Sequence, residues 1–212
     1  MDLGTLCAIH RYPVKSLRGE SLDEAIVLQQ GLEGDRVRSM LVRDGHARIG
    51  KPYRGKENDR LHLCGDAATG VARATERGVR VELEDRADEP FMDDAPVSII
   101  VDTWLRGLSR FVGYDVEYVR FRPNFFVHAR DGFSLTEEAM TGRELALGEV
   151  LLRVRYPIER CVVTTYDPNG GEADSKILAY IARERSTWMG VYCDVLRAGT
   201  VRIGDSFSLV ER

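Results

Sequence analysis

The sequence has no apolar stretch that approaches the roughly 20 residues of a membrane-spanning helix. Its buried-strand candidate Val97 to Val101 is five long, with Ser98 inside it, and the longest uninterrupted apolar run, Ile177 to Ala182, is six. A helical bilayer span is therefore not expected. A secretory leader is not expected either, because His10, Arg11, Lys15 and Arg18 break up the first 20 residues before an apolar core can form. The expected compartment is the cytoplasm. Cysteine is scarce: Cys7, Cys64, Cys161 and Cys193 lie far apart, with no CxxC pair and no zinc-type Cys/His spacing. A disulfide scaffold and a zinc module are excluded, and a cysteine that matters here acts singly. No GxGxxG or Walker sequence occurs, so nucleotide binding by those routes is not indicated. Charge of one sign is also lacking. Thirty basic residues face 34 acidic ones, a net charge of -4, and the split is 15 against 16 through Pro90. This gives no bulk attraction for nucleic acid. Lysine is the rarest charged type, with Lys15, Lys51, Lys56 and Lys176 standing against 26 arginines. That bias reflects either genome composition or a demand for bidentate anion contacts.

What remains is 212 residues of ordinary globular composition, 43% hydrophobic and 30% charged, with mean hydropathy -0.26. The length allows one large domain or two small ones. The acidic stretch Glu82 to Asp94, with Pro90 inside it, reads as a connector and divides the chain near residue 90 into regions 1–90 and 91–212. In the first, short β-like runs fall at Leu3 to Ile9, Ala25 to Gln29, Val37 to Val42 and Val79 to Leu83, with Asp44-Gly45 as a hairpin dipeptide. In the second they fall at Val97 to Val101, Val116 to Phe121, Val150 to Tyr156, Cys161 to Tyr166, Val191 to Leu196 and Phe207 to Val210. Helices are few. Asp102 and Asp174 are candidate caps, and a further short helix starts near Thr136. Many short strands with few helices predict a mainly β (α+β) fold, a β-barrel with accessory helices.

Four segments combine chemistry with turn or strand character. In Tyr12-Pro13-Val14-Lys15-Ser16, Pro13 forces an extended or turning chain that presents a lysine beside a hydroxyl, a phosphate-binding pair or an ordinary charged turn. Gly31 to Arg36 adds two glycines and an Asp-Arg pair. In Arg120-Phe121-Arg122-Pro123-Asn124-Phe125-Phe126-Val127, two arginines inside an apolar run need partners, either an internal carboxylate or an anionic ligand. Arg160-Cys161 puts a guanidinium next to a thiol, which is either a small buried hydrophobe or, as a thiolate, a nucleophile or soft metal ligand. His10, His46, His62 and His128 show no diagnostic pairing with a cysteine and read as structural.

Taken in order, these segments and the closing Gly199-Thr200-Val201-Arg202-Ile203-Gly204-Asp205 resemble the MOSC superfamily, named for the C-terminal domain of molybdenum cofactor sulfurase. The resemblance runs through nearly the whole chain. It includes the N-terminal MOSC-associated β-barrel region over 1–90 and the MOSC domain over 91–212, as in the amidoxime-reducing component and its bacterial relatives. It implies a molybdenum cofactor, that is, a molybdopterin whose terminal phosphate is held by Lys15, Ser16 and Arg36. Arg48, Arg122, Asn124 and Arg160 complete the cofactor-binding set, and Cys161 is the catalytic residue and molybdenum ligand. It also places Asp102 near the cofactor. The implied reaction is two-electron reduction of N-hydroxylated or N-oxygenated small molecules. Because the chain has no flavin, haem or iron–sulfur signature, the electrons come from a separate donor protein, a flavin or iron–sulfur reductase. No membrane or nucleic-acid partner is implied. The competing expectation is a sulfur-handling protein, in which Cys161 carries a persulfide or attacks a sulfur compound without metal and Cys193 supplies a second thiol.

Overall fold

The computed structural model describes residues 1–210. The chain runs β1 (Asp2–Arg11), β2 (Glu20–Leu22), β3 (Glu24–Leu28), β4 (Gly31–Leu32), β5 (Arg38–Asp44), α1 (Ala67–Glu76), β6 (Arg80–Asp85), β7 (Val97–Val101), α2 (Asp102–Val112), β8 (Phe125–Ala129), α3 (Glu137–Met140), β9 (Glu144–Leu147), β10 (Val150–Glu159), α4 (Ser175–Glu184), β11 (Trp188–Arg197), β12 (Gly199–Arg202) and β13 (Ser206–Leu209).

Seven strands close a barrel in the order β13-β9-β10-β11-β7-β8-β1, with β1 pairing back onto β13. All of these pairings are antiparallel except β7 with β8, where α2 supplies the crossover that a parallel pair requires. Every residue of β7 is buried, as expected of a strand with the barrel interior on one face and helices on the other. The barrel core joins Leu6, Ile9, Ile99, Phe125, Val127, Leu152 and Phe207 to Leu105 and Leu108 of α2 and Ile177 and Ile181 of α4. A second, smaller core lies outside it. There Val14, Leu17, Met40, Val42, Tyr53, Leu61, Ala74 and Val81 pack the β5–β6 pair against α1. Because β1 carries Leu3, Leu6 and Ile9 into the barrel, the N-terminal part of the chain contributes to both cores.

Several local expectations are revised. Val116 to Phe121 is not a strand: Tyr118–Phe121 forms a 3-10 turn, ended by Arg122 in a left-handed conformation (φ 53°) just before Pro123. Cys161 to Tyr166 is likewise a 3-10 turn over Val162–Thr165. Its β-branched composition favours a strand, but the hydroxyls of Thr164 and Thr165 donate back to the carbonyls of Cys161 and Val162 at 2.9 and 2.7 Å, an alternative to ladder pairing. The stretch Glu82 to Asp94 is a connector only in its later part, since Glu82 to Asp85 belong to β6. Asp174 and Thr136 cap α4 and α3 as expected. Asp102 does not cap α2. Its carboxylate instead accepts the Ala129 N–H at 3.0 Å and bonds His128 Nδ1 at 2.9 Å, tying α2 to β8. Helix α1 has no counterpart in the sequence reading. It is capped by Asp66, which accepts the Thr69 N–H at 2.8 Å, and its Gly70 lets the helix approach closely, since a Cβ there would sit 2.9 Å from Leu17 and 3.0 Å from the Met40 sulfur.

Candidate functional site

A cavity of about 460 Å³ opens on the seam between the two cores. The N-terminal side of the seam contributes Lys15, Ser16, Arg36, Arg54, Gly55, Lys56 and His62. The barrel side contributes Ser98, Arg120, Arg122, Arg160, Cys161 and Tyr192, and the connector adds Asp93 and Asp94. Of the residues singled out from sequence, Lys15, Ser16, Arg36, Arg122, Arg160 and Cys161 therefore share one cavity.

Backbone strain concentrates here. Only five non-glycine residues among those described have positive φ: Ser16, Arg36, Arg122, Ser186 and Thr187. The first three line the cavity, and Thr187 accepts the Arg160 backbone N–H at 2.8 Å. Such conformations cost on the order of 1–3 kcal/mol each and persist where the surroundings enforce them, commonly at functional sites.

The two arginines of the Arg120–Asn124 segment have different fates. Arg120 is held internally: it donates to the carbonyls of Thr165 at 3.0 Å and Tyr166 at 2.5 Å and lies 3.7 Å from Asp167, so it pins the turn that follows Cys161, although its Nε is buried without a partner. Arg122 has no such partner. Its guanidinium lies over the Tyr12 ring at 4.2 Å and makes no hydrogen bond or ion pair with any described residue. Burial, and then the like charge of Arg36, push its pKa down. Arg36, over the same ring at 4.9 Å, is paired with Asp35; burial opposes its charge, but Asp35 and Asp93 outweigh burial and raise its pKa. Arg160 donates to Met189 O at 2.7 Å and Phe121 O at 2.9 Å, while its Nη2 is buried without a partner. Burial lowers its pKa to about 10.

Lys15 donates to Phe91 O at 2.8 Å and Met92 O at 3.1 Å and pairs with Asp93 at 2.5 Å. Burial lowers the Lys15 pKa. Asp93 is itself penalised by burial, yet Lys15, Arg36 and Arg122 hold it below the usual carboxylate range. Seven basic side chains, Lys15, Arg36, Arg54, Lys56, Arg120, Arg122 and Arg160, thus line the cavity with the connector acids, leaving one unpaired guanidinium at Arg122, orphaned N–H groups on Arg54, Arg120 and Arg160, and the Ser16 hydroxyl free to donate. This donor set suits an elongated anionic ligand with a phosphate at one end. Inorganic phosphate or pyrophosphate is accordingly expected to raise the melting temperature by mass action. Arg122→Met is expected to abolish most of that rise while leaving the ligand-free protein at least as stable as wild type. A full shift in the variant, measured by scanning fluorimetry, would show that Arg122 does not meet the anion.

Two residues fall outside the cavity. Asn124 is buried one layer behind it, donating to Asp35 at 3.1 Å and His10 O at 3.3 Å and accepting from Ser98 Oγ at 3.0 Å, so it positions the carboxylate that holds Arg36. Arg48 is exposed and lies 3.5 Å from Glu57, which in turn binds Arg54 at the cavity lip. Asp102 also lies away from the cavity, on the α2–β8 tie. Cys193 is buried in the barrel core, where burial pushes its thiol pKa up, and it does not join Cys161; Cys64 is buried and Cys7 exposed. A dithiol site therefore does not form. Among the residues the sequence reading missed, Asp93 was hidden in an acidic connector. Arg54 and Lys56 belong to a loop that resembles any charged surface segment, and His62, which reads as structural, lies in the 3-10 turn Leu61–Leu63. The only available signal was that Lys56 is one of four lysines.

The family model for the MOSC domain matches residues 86–208, and that for the MOSC N-terminal beta barrel domain matches residues 3–88. Over 281 aligned positions the chain is 23% identical to mitochondrial amidoxime reducing component 2 of Homo sapiens and equally to that of Macaca fascicularis, with 96% of this chain and 83% of each relative covered. Among solved structures, the YuaD protein of Bacillus subtilis shares the fold, with a TM-score of 0.56 at 16% identity over 98% of this chain and 94% of that one.

Proposed function

The chain belongs to the MOSC domain family, and from that premise we propose that it is a molybdopterin-dependent reductase of N-hydroxylated small molecules. One observation carries the reading: the unpaired Arg122 and orphaned Arg160 N–H lie in the same cavity as Lys15, Ser16, Arg36 and the free thiol of Cys161. Lys15, Ser16 and Arg36 would hold the terminal phosphate, with Asn124 fixing Asp35 and hence Arg36 from behind. Arg122 and Arg160 would offset the charge of the dithiolene end, and Cys161 would ligate the metal. Arg48 would act at the lip, through Glu57 and Arg54. When bound, the cofactor supplies the two-electron couple.

The overall change, R–NHOH plus two electrons and two protons giving R–NH2 and water, requires an electron source, for which a separate flavin or iron–sulfur donor protein is proposed. The chain's own part is to bind and orient. Arg120 fixes the carbonyls of Thr165 and Tyr166, and the hydroxyl and N–H of Thr164 both bond Cys161 O, so the Cys161 turn is held from both sides. Burial around the two arginines keeps the charges in the cavity poorly screened by water, which strengthens them.

The reading is tested by purifying the protein from molybdate-supplied cells with intact cofactor synthesis and measuring molybdenum and oxidised pterin per chain. Near-stoichiometric amounts of both are expected. Traces of both in folded protein would overturn it.

A further inference from the structure

Beside the cofactor cavity lies a second one, of about 270 Å³, with a different chemistry. It contains none of Lys15, Ser16, Arg36, Arg160 or Cys161, so it offers neither the phosphate anchor nor the thiol. Its walls are ring-rich. His10 and Tyr12 stack at 6.4 Å between centroids, His62 and Tyr166 at 5.8 Å, and all four line it together with Val119, Val163 and Pro168. The two cavities share His62, Arg120, Arg122 and Val163, so they adjoin at these side chains.

His62 sits on that shared wall in a defined state. Its Nε2–H donates to Asp167 O at 2.7 Å, since a carbonyl can only accept, and this leaves a lone pair on Nδ1. Nδ1 is shielded from solvent and has no partner among the described residues. Burial lowers the pKa of both His10 and His62, so near neutral pH the cavity presents uncharged imidazole faces. Arg18, Arg120 and Arg122 line it as well, and rings, aliphatic groups and guanidinium faces together favour a flat aromatic body, for which stacked, edge-on or cation–π contact adds to burial.

We propose that the second cavity seats the aromatic portion of the N-hydroxylated substrate, with His62 on the shared wall accepting a hydrogen bond from the substrate's N–OH or amino group. This rests on the reductase reading, and the test separates the two. Val119 lines only the second cavity and is half-buried, so Val119→Trp fills it away from Lys15, Ser16, Arg36, Arg160 and Cys161, none of which line it. Ser21→Phe, on exposed β2 of the same lining, is the second filling variant.

The probe is 4-fluorobenzamide, which lacks the N–O bond and cannot be reduced; its binding to holoenzyme is followed by fluorine NMR. Both variants are expected to bind it at least about 10-fold more weakly, as filling a small apolar pocket does. KM for an aryl N-hydroxy substrate is expected to rise by a similar factor with kcat unchanged. Reduction of hydroxylamine itself, which has no organic body, is expected to be unaffected, and pterin content to match wild type. Equal probe binding by wild type and both variants would overturn the proposal, as would a loss of pterin in the variants, which would assign the cavity to the cofactor. If no N-hydroxy compound is turned over at all, the reductase reading falls, and the NMR arm alone decides whether the cavity binds a flat aromatic.

Discussion

Replacing Cys161 by serine is expected to lower reduction of an N-hydroxylated substrate by a chemical electron donor by more than about 100-fold, since even residues that only support a metal ligand typically cost 10- to 100-fold. The oxygen of serine is a harder ligand than sulfur and stays protonated near neutral pH, so it does not substitute for a thiolate on a high-valent soft-ligand site. Pterin content is expected to stay close to wild type, because the phosphate anchors Lys15, Ser16 and Arg36 and the unpaired Arg122 are untouched. The fold is expected to tolerate the change: Cys161 is only partly buried, and the Thr164 bonds that hold its turn go to its carbonyl, not its sulfur. Retained turnover, measured against molybdenum content, would remove Cys161 from the chemistry. The same variant also discriminates the metal-free alternative, because wild type incubated with a persulfide donor would then carry an extra sulfur on Cys161 that the serine protein lacks.

The second large effect is on stability and concerns a pair that does not line the cavity. Glu137, at the start of α3, has a side chain 5% exposed and pairs with Arg185 at 2.5 Å. Its carboxylate also accepts the Gly190 N–H at 3.2 Å. Arg185→Met strands that carboxylate with a single weak donor. Breaking a buried pair from one side costs about 3–5 kcal/mol, which for a chain of this size lowers the melting temperature by roughly 6–20 °C. Adding Glu137→Gln to Arg185→Met is expected to recover part of the loss, since no buried charge then remains. If the single and double variants melt together, the pair is not the source of the cost. Gly190 follows Met189, whose carbonyl accepts Arg160 Nε, so the same change is expected to loosen the cavity wall.

How far the sequence carried these conclusions differed by element. Barrel staves such as Val97–Val101 and Val150–Glu159 were readable because the first is almost wholly aliphatic and β-branched and the second alternates buried aliphatics with exposed arginines. The Cys161 and Arg122 turns were not, because the same β-branched residues and aromatics occur there. What decides those turns is threonine back-bonding in one and a proline after a left-handed arginine in the other. Helix α1 was hidden because its buried face is only Gly70 and Ala74, too small to show an apolar period. In the site, the Lys15-Ser16, Asp35-Arg36 and Arg160-Cys161 dipeptides stood out locally, and their convergence followed from matching the ordered motifs. Asn124 was placed correctly in its segment but one layer too far forward. The partner question for Arg120 and Arg122 was left open by sequence, and the fold resolves it differently for each residue.

The cavity draws one wall from the β5–β6–α1 core and the other from the barrel. A ligand spanning that seam acts as a fastener. Without it, the smaller core is joined to the barrel by β1, the Lys15 and Arg36 contacts, the connector and the bonds of Arg60 and His62 to Gly170 O and Asp167 O, and it is expected to melt ahead of the barrel. With the seam filled, both cores share one ligand's binding free energy and unfold as a single cooperative unit. The number of calorimetric transitions is therefore expected to depend on loading, and a ligand in this seam would be a structural tie between two small cores as well as a bound reagent.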